Sequence, residues 1–503
     1  MSADNNSKKQ ALKSSAIVGS ASFLAILIRL VNVKVLSELL GPTGIGLMGI
    51  LATMMGLGGT LFGMGLSASG VRELAINNSI EKLALVRKAL FSANLLLGLL
   101  AIFLIVFFKQ ALSLWFFETS DYQYAILIIA FGVFLSLISG SQTALLQGLR
   151  KISELAKVNV IGALVTTFIG LLTVWFWGQS GIPFLVITLP LVTCLTSFYY
   201  IRQLPKVTSA SINLIQLSPQ WRSMLKVGFA FMLAGLMGVG CQLIVRYIIN
   251  QQLNLESVGY FQAAWQISMT YISFVLGAMA VDYYPRLTQQ IHNKNEANRL
   301  VNEQTELAIA FAAPVLISML AFAPFVINLL YSSEFGNSVE ILRWQVFGDA
   351  LKIMSWPLGF IMLAKGRSKL FFWTEFLWNA SYITFVYSGI ELFGIEITGY
   401  AFAASYVIYL LTVYAVSRSI NDFRWEKSNI RLMMSLTLAT ASLLLASYFS
   451  ILGTIVLGIF LLFISIIYAL KLISGLGVQN RKLKKILYIY KRCASALGFK
   501  GFA

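Results

Sequence analysis

Fourteen apolar stretches of membrane-spanning length occupy most of this chain, near residues 14–40, 44–71, 88–108, 122–148, 157–178, 181–201, 225–249, 258–284, 306–331, 340–364, 369–389, 397–417, 430–449 and 451–472. A helix needs about 20 apolar residues to cross the hydrocarbon core of a bilayer. Charged residues make up only 12% of the chain, against about 25% in soluble proteins, which is too few to cover a water-exposed surface. A soluble enzyme, a secreted disulfide scaffold and a disordered chain are excluded. A membrane β-barrel would show segments of about ten residues alternating in polarity, and none is seen. The expected fold is an all-α polytopic membrane protein with about 14 transmembrane helices. The basic N-terminal arm is followed by no A-x-A-like cleavage site, so no signal peptide is expected.

The charges test these spans independently. Short cytoplasmic loops collect Lys and Arg. With the N-terminus placed inside, the inside loops and the span ends that adjoin them hold 32 of the 38 Lys and Arg, and the outside loops with their adjoining ends hold two, Lys109 and Arg343. The outside loops carry the acids Glu38, Glu118, Asp121, Glu256, Glu334, Glu340, Glu391 and Glu396. One missed or false span would invert everything after it. Both termini are therefore expected in the cytoplasm. The net charge of +18 is a topology signal spread over eight inside segments, so no nucleic-acid partner is expected.

Composition also narrows the chemistry. His292 is the single histidine, and Cys194, Cys241 and Cys493 lie far apart, so neither a metal centre nor another cofactor is expected. The loops leave no room for a catalytic domain, and no GxxxxGK[ST] motif is present. Transport would draw on H+, Na+ or the membrane potential.

The chain carries an internal repeat. Val33-Lys34 and the turn Leu40-Gly41-Pro42-Thr43-Gly44-Ile45-Gly46 answer to Val245-Arg246 and Leu253-Asn254-Leu255-Glu256-Ser257-Val258-Gly259. Arg72-Glu73-Leu74 similarly answers to Pro285-Arg286-Leu287. The offset is about 213 residues, with one-residue gaps. Six helices fall within it, so both copies have one membrane orientation. The expected organisation is an N-terminal lobe (1–203, spans 1–6), a C-terminal lobe (204–420, spans 7–12), two additional spans (421–475) and a basic cytoplasmic tail (476–503). The tail fits an amphipathic helix on the anionic inner leaflet, or a solvated segment that only fixes topology.

Ionisable groups at membrane depth are costly and face a cavity or a partner. Six lie within the spans clear of their ends: Arg29, Lys34, Arg246, Asp349, Lys352 and Glu375. Four are cations, which suits an anionic substrate, and Arg can grip a phosphate through two parallel hydrogen bonds. Arg29 is too deep to snorkel easily. Lys34 and Arg246 could either bind substrate or reach the outer face. Asp349 and Lys352, three residues apart, could neutralise each other or take part in transport. Asp349 is the best intramembrane carboxylate for ion coupling. Glu375 is expected to pair with Lys365, Arg367 or Lys369, and Asp282 with Arg286. Polar and aromatic residues that could line a cavity are Asn32, Gln142, Gln147, Gln242, Gln262, Gln266 and Trp265. Trp356-Pro357, Pro314, Pro324 and the glycines 56, 58, 59, 63 and 65 mark helices that could bend.

Several of these stretches carry a family resemblance. Leu40-Gly41-Pro42-Thr43-Gly44-Ile45-Gly46-Leu47 resembles the first outside turn of bacterial polysaccharide flippases. So do Gln142-Thr143-Ala144-Leu145-Leu146-Gln147-Gly148, Val258-Gly259-Tyr260-Phe261-Gln262-Ala263-Ala264-Trp265 and Asp282-Tyr283-Tyr284-Pro285-Arg286-Leu287. Asn302-Glu303-Gln304-Thr305 and Gly348-Asp349-Ala350-Leu351-Lys352 with Trp356-Pro357-Leu358 complete the set. Together they resemble the O-antigen and enterobacterial-common-antigen translocases of the multidrug/oligosaccharidyl-lipid/polysaccharide exporter superfamily. The resemblance implies two lobes in a MATE-like V around a central cavity. It implies a substrate of undecaprenyl diphosphate bearing an oligosaccharide repeat unit, moved from the inner to the outer leaflet by alternating access. A polymerase and a chain-length regulator would be possible partners. On this reading Arg29, Lys34, Arg246 and Lys352 hold the pyrophosphate, Asp349 couples the ion, and Asn32, Gln142, Gln262 and Gln266 line the glycan path. A multidrug exporter of the same superfamily would favour acids in its cavity, loss of a lipid II flippase for peptidoglycan would be lethal, and a membrane glycosyltransferase or polymerase would need a catalytic carboxylate or large outside loops.

Overall fold

The computed structural model describes residues 2–76, 80–204 and 214–475, and no strand occurs among them. Hydrocarbon offers the backbone no hydrogen-bond partner, so each segment closes its own ladder as helix. The helices are α1 (Ser2–Gly63), α2 (Leu66–Ile76), α3 (Ile80–Phe107), α4 (Lys109–Phe117), α5 (Gln123–Gly148), α6 (Ile152–Trp177), α7 (Ile182–Arg202) and α8 (Leu214–Gln252). They continue as α9 (Leu255–Gln290), α10 (Lys294–Ala321), α11 (Ala323–Leu330), α12 (Ser338–Ala364), α13 (Ser368–Phe393), α14 (Ile397–Asn421), α15 (Lys427–Phe449) and α16 (Ile451–Gly475). Ten stretches among the described residues are long and apolar enough to cross a membrane. Two of them, 152–202 and 368–421, each contain two consecutive helices. All fourteen expected segments coincide with helix, and the chain is a multi-pass membrane protein.

The helix breaks fall at some of the expected positions and not at others. α1 holds the first expected span and most of the second, bent at Gly41 (φ 61°) where Pro42 supplies no N–H. The second span breaks again at Met64 and Gly65, both at positive φ, because Gly65 packs against the Gly228 carbonyl where a methyl group would overlap it. Pro314 and Pro357 do not interrupt their helices; α10 and α12 run through them. The break near Pro324 falls earlier, at Phe322, and Pro324 lies in the first turn of α11, where a missing N–H costs nothing.

Contacts divide the chain into two compact units, residues 1–262 with 329–334, and residues 263–328 with 335–503. In the first, α1 packs on α6, α5 and α8, and α5 packs between α3 and α7. In the second, α12 and α14 form the most extensive helix pair, with α10 against α12, α15 and α16. The last two helices are thus an integral part of the second unit's packing. Tyr468 of α16 donates to Glu306 of α10 at 2.8 Å. The basic tail, 476–503, lies outside the described residues.

An asparagine cluster fixes one end of α10 to the loop between α14 and α15. Asn302 is buried, and its Nδ2 donates to the Arg424 carbonyl at 3.1 Å. Its Oδ1 accepts from the Glu426 N–H and from Asn429 Nδ2, both at 2.9 Å. Asn421 Nδ2 donates to Asn298 Oδ1 at 2.6 Å, and Lys294 pairs with Asp422. The hydrogen bond and charge of Lys294 hold the Asp422 carboxyl below its usual range. This contribution is complete above the ordinary Asp pKa and is lost as pH falls through the depressed one. Asn302→Ala strands buried donors, so thermal unfolding in detergent should show a loss of about 1–3 kcal/mol. Limited proteolysis should show new cleavage within 422–427; an unchanged melting curve and cleavage pattern would contradict the anchoring role.

Candidate functional site

The first unit gathers a cation and two amides on α8 and the start of α9. Arg246 is only 2% exposed. Its Nη1 donates to the Gln242 carbonyl at 3.0 Å and to Gln242 Oε1 at 3.1 Å, one helical turn back. Its Nη2 and Nε both reach Gln262 Oε1, at 2.5 and 3.2 Å. The guanidinium carbon lies 5.2 Å from the Phe261 ring centre, a cation–π contact. These four bonds go to amide oxygens and a backbone carbonyl. An anion with several oxygens is a stronger partner for guanidinium than a neutral amide, so the arrangement can exchange one for the other.

Lys34 belongs to the same unit but is held differently. Its ammonium pairs with Glu38 at 2.8 Å and donates to the Tyr331 carbonyl at 2.5 Å. Asn32 is half-buried, with its Oδ1 buried and without a hydrogen-bond partner among the described residues. Arg29 is exposed on α1. Gln142 is buried between α5 and α7, where its Oε1 accepts from Ser197 Oγ at 2.5 Å. Gln147 and Gln266 are exposed, and Trp265 is buried against Tyr382 and Phe402. A separate cavity of about 490 Å³ opens in front of the α1–α2 break, lined by Gly56, Thr60, Ser67, Ser136, Phe231 and Gly235 among others.

The second unit assembles the acidic group. Asp349 is fully buried on α12. Its Oδ2 accepts from Ser268 Oγ at 2.6 Å and Tyr271 Oη at 2.5 Å, both on α9. Its Oδ1 is buried without a hydrogen-bond partner among the described residues. Lys352, one turn on, interacts electrostatically with Asp349 and with Glu375. Its ammonium lies 3.7 Å from Met269 Sδ and 5.7 Å from the Tyr406 ring centre. Lys352 and Glu375 line one cavity of about 240 Å³ with Trp356, Trp378, Tyr406 and Tyr409. Glu375 was expected to pair with loop cations at 365–369. It instead accepts from Tyr409 Oη at 2.5 Å, because α13 turns this face towards α14 rather than the loop. The side chain of Asp282 lies outside the described residues.

Ser268, Tyr271 and Tyr409 were not anticipated as site residues. Ser268 and Tyr271 are three apart on an apolar helix, a spacing that puts two hydroxyls on one face and could have signalled a buried acceptor. Among the described residues no cluster of His, Cys, Asp and Glu could hold a metal ion.

Comparisons with known proteins follow this geometry. The chain is 22% identical over 384 residues to the lipid III flippase of Escherichia coli (strain K12), covering 75% of this chain and 90% of that one. The Shigella flexneri lipid III flippase matches to the same extent. The fold is similar to that of the lipid II flippase MurJ in an inward closed conformation, at a TM-score of 0.69 and 17% identity, over 90% of this chain and 98% of that one. It is also similar to an inward-facing multidrug resistance MATE family transporter of the MOP superfamily, at a TM-score of 0.68 and 15% identity, over 81% and 98% of the two chains. The model of a family described as polysaccharide biosynthesis protein matches residues 35–340, more than half of the sequence, and the chain belongs to that family.

Proposed function

We propose that this protein is a flippase for oligosaccharides linked to undecaprenyl diphosphate, of the kind that supplies O-antigen or a related surface polysaccharide. The observation that carries this reading is Arg246, a guanidinium buried at membrane depth and held by exchangeable amide partners. Membership of a polysaccharide biosynthesis family and similarity to the lipid III flippase support it. The diphosphate takes the place of the amides on Arg246, the glycan follows the polar path, and the polyprenyl tail stays in lipid. Both termini are cytoplasmic, and transport runs from the inner to the outer leaflet of a bacterial inner membrane by alternating access. An inside-negative potential favours outward movement of an anion by about 2.3 kcal/mol per charge per 100 mV. Asp349 is the ion-coupling carboxylate, and Lys352 balances it.

Polyprenyl-linked glycans from a deletion strain and its complemented parent should be compared by mass spectrometry. One undecaprenyl-diphosphate oligosaccharide should accumulate while surface polysaccharide is lost. An unchanged lipid pool with new drug sensitivity would replace this reading with a multidrug exporter. In reconstituted vesicles, Arg246→Ala should lower flipping at least about tenfold, with Arg246→Lys intermediate because it keeps the charge and loses the fork. Wild-type rates in both variants would remove the diphosphate clamp. Asp349→Asn keeps the shape but not the charge, so flipping should stop responding to an imposed proton or sodium gradient while diphosphate binding persists. A retained gradient response would show that coupling lies elsewhere.

A further inference from the structure

The internal repeat meets itself at one place in the first unit. A methyl group built on Gly46 would overlap the Leu255 carbonyl, and one built on Gly259 would overlap the Pro42 carbonyl. A methyl group on Gly49 would strike the side-chain amide of Gln262. Positions 42, 46 and 49 lie on one face of α1, spaced by four and three, and positions 255, 259 and 262 lie on one face of α9 with the same spacing. Each position differs from its counterpart by the same 213 residues that relate the repeats (255 − 42, 259 − 46, 262 − 49). Residue 42 touches 259 while 255 touches 46, which is the reciprocal pattern of a local two-fold. Two helices are in backbone contact along a seam that only glycine allows.

Gln262 joins this seam to Arg246. Its amide lies over Gly49, and its Oε1 accepts two of the Arg246 N–H groups. Resting on the diphosphate reading of Arg246, we infer that Gln262 is the latch of an outer gate. While Arg246 holds the Gln262 amide, the side chain is fixed over Gly49 and the seam stays shut. A diphosphate that takes the guanidinium displaces the amide oxygen, frees Gln262 and lets α9 leave α1 at the outer end. Substrate occupancy and gate opening are thereby one exchange of hydrogen-bond acceptors, with Gln262 as a positioning residue.

The test uses the full-length protein in nanodiscs, titrated with undecaprenyl diphosphate and, as a tail-only control, undecaprenol. Hydrogen exchange is followed in peptides covering 40–50 and 253–263. The diphosphate should raise exchange several-fold in both segments of the wild type, and undecaprenol should not. Gln262→Leu should exchange at the raised level without ligand and gain nothing from it. Gln262→Glu, the same size but an anionic partner for Arg246, should bind the diphosphate at least about tenfold more weakly and keep the seam protected. A Gln262 with only a packing role would leave that affinity unchanged. The latch is overturned if wild-type binding depends on Arg246 yet leaves seam exchange unaltered, or if Gln262→Glu binds like wild type. Undiminished diphosphate binding by Arg246→Ala would instead overturn the Arg246 reading itself.

Discussion

A bilayer interior cannot hydrogen-bond a peptide group, and the rest of this architecture depends on that constraint. Every segment therefore closes its own helical ladder, and a break is tolerated only where protein stands beside it. Both breaks in the first two spans obey this. Gly41 turns beside the Glu334 carboxylate, and Gly65 turns against the Gly228 carbonyl. The loops obey it as well: the αL residues Glu118, Arg150 and Asp422 lie where helices end rather than within a span.

The sequence was most informative where lipid alone decides the structure. The expected spans 122–148, 157–178 and 181–201 match α5, α6 and α7 to within a few residues. Charged residues flank them at Asp121, Arg150, Lys151 and Arg202, where the apolar run stops. Hydropathy reports the membrane rather than the helix, so it missed helical turns that extend into water. Thus α3 begins at Ile80, well before the expected 88, and α8 begins at Leu214 rather than 225. The nine-residue α4 lies in what reads as an outside loop, anchored where Asn250 donates to the Phe116 carbonyl at 2.8 Å. The break in the second span was not locatable among five candidate glycines. The chain that selects Gly65 is Gly228, more than 160 residues away.

The charged residues were legible by type and only partly by partner. Gln242 is one turn from Arg246, so helix spacing alone brings them together. Gln262 was expected to face a sugar, and its bond to Arg246 is a tertiary fact that no local pattern encodes. Asp349 shows the same limit: Lys352 follows from spacing, whereas Ser268 and Tyr271 come from another helix. The two units handle charge in different ways. Arg246 donates to amide oxygens that an anion could replace, whereas Asp349 accepts from two hydroxyls and has a cation one turn away.

On the proposed diphosphate reading, an amide opposite Arg246 balances two demands. A carboxylate at 262 would form a buried ion pair, and an entering diphosphate would then have to break a charge–charge contact in a medium of low dielectric constant. An apolar residue would remove two of the guanidinium's hydrogen bonds at membrane depth and disfavour the empty state. An amide lies between these extremes, strong enough to hold the empty site and weak enough to yield to an anion. Lys34, the counterpart of Arg246 in the first repeat, can keep a carboxylate partner because that pair is half exposed and water screens it. The repeats also had to diverge at the seam itself. Positions 49 and 262 meet close to the local two-fold, where there is room for one side chain. If one repeat places glutamine there, the other must place glycine, so the asymmetry between the repeats at this point is imposed by the symmetry that brings the two helices together.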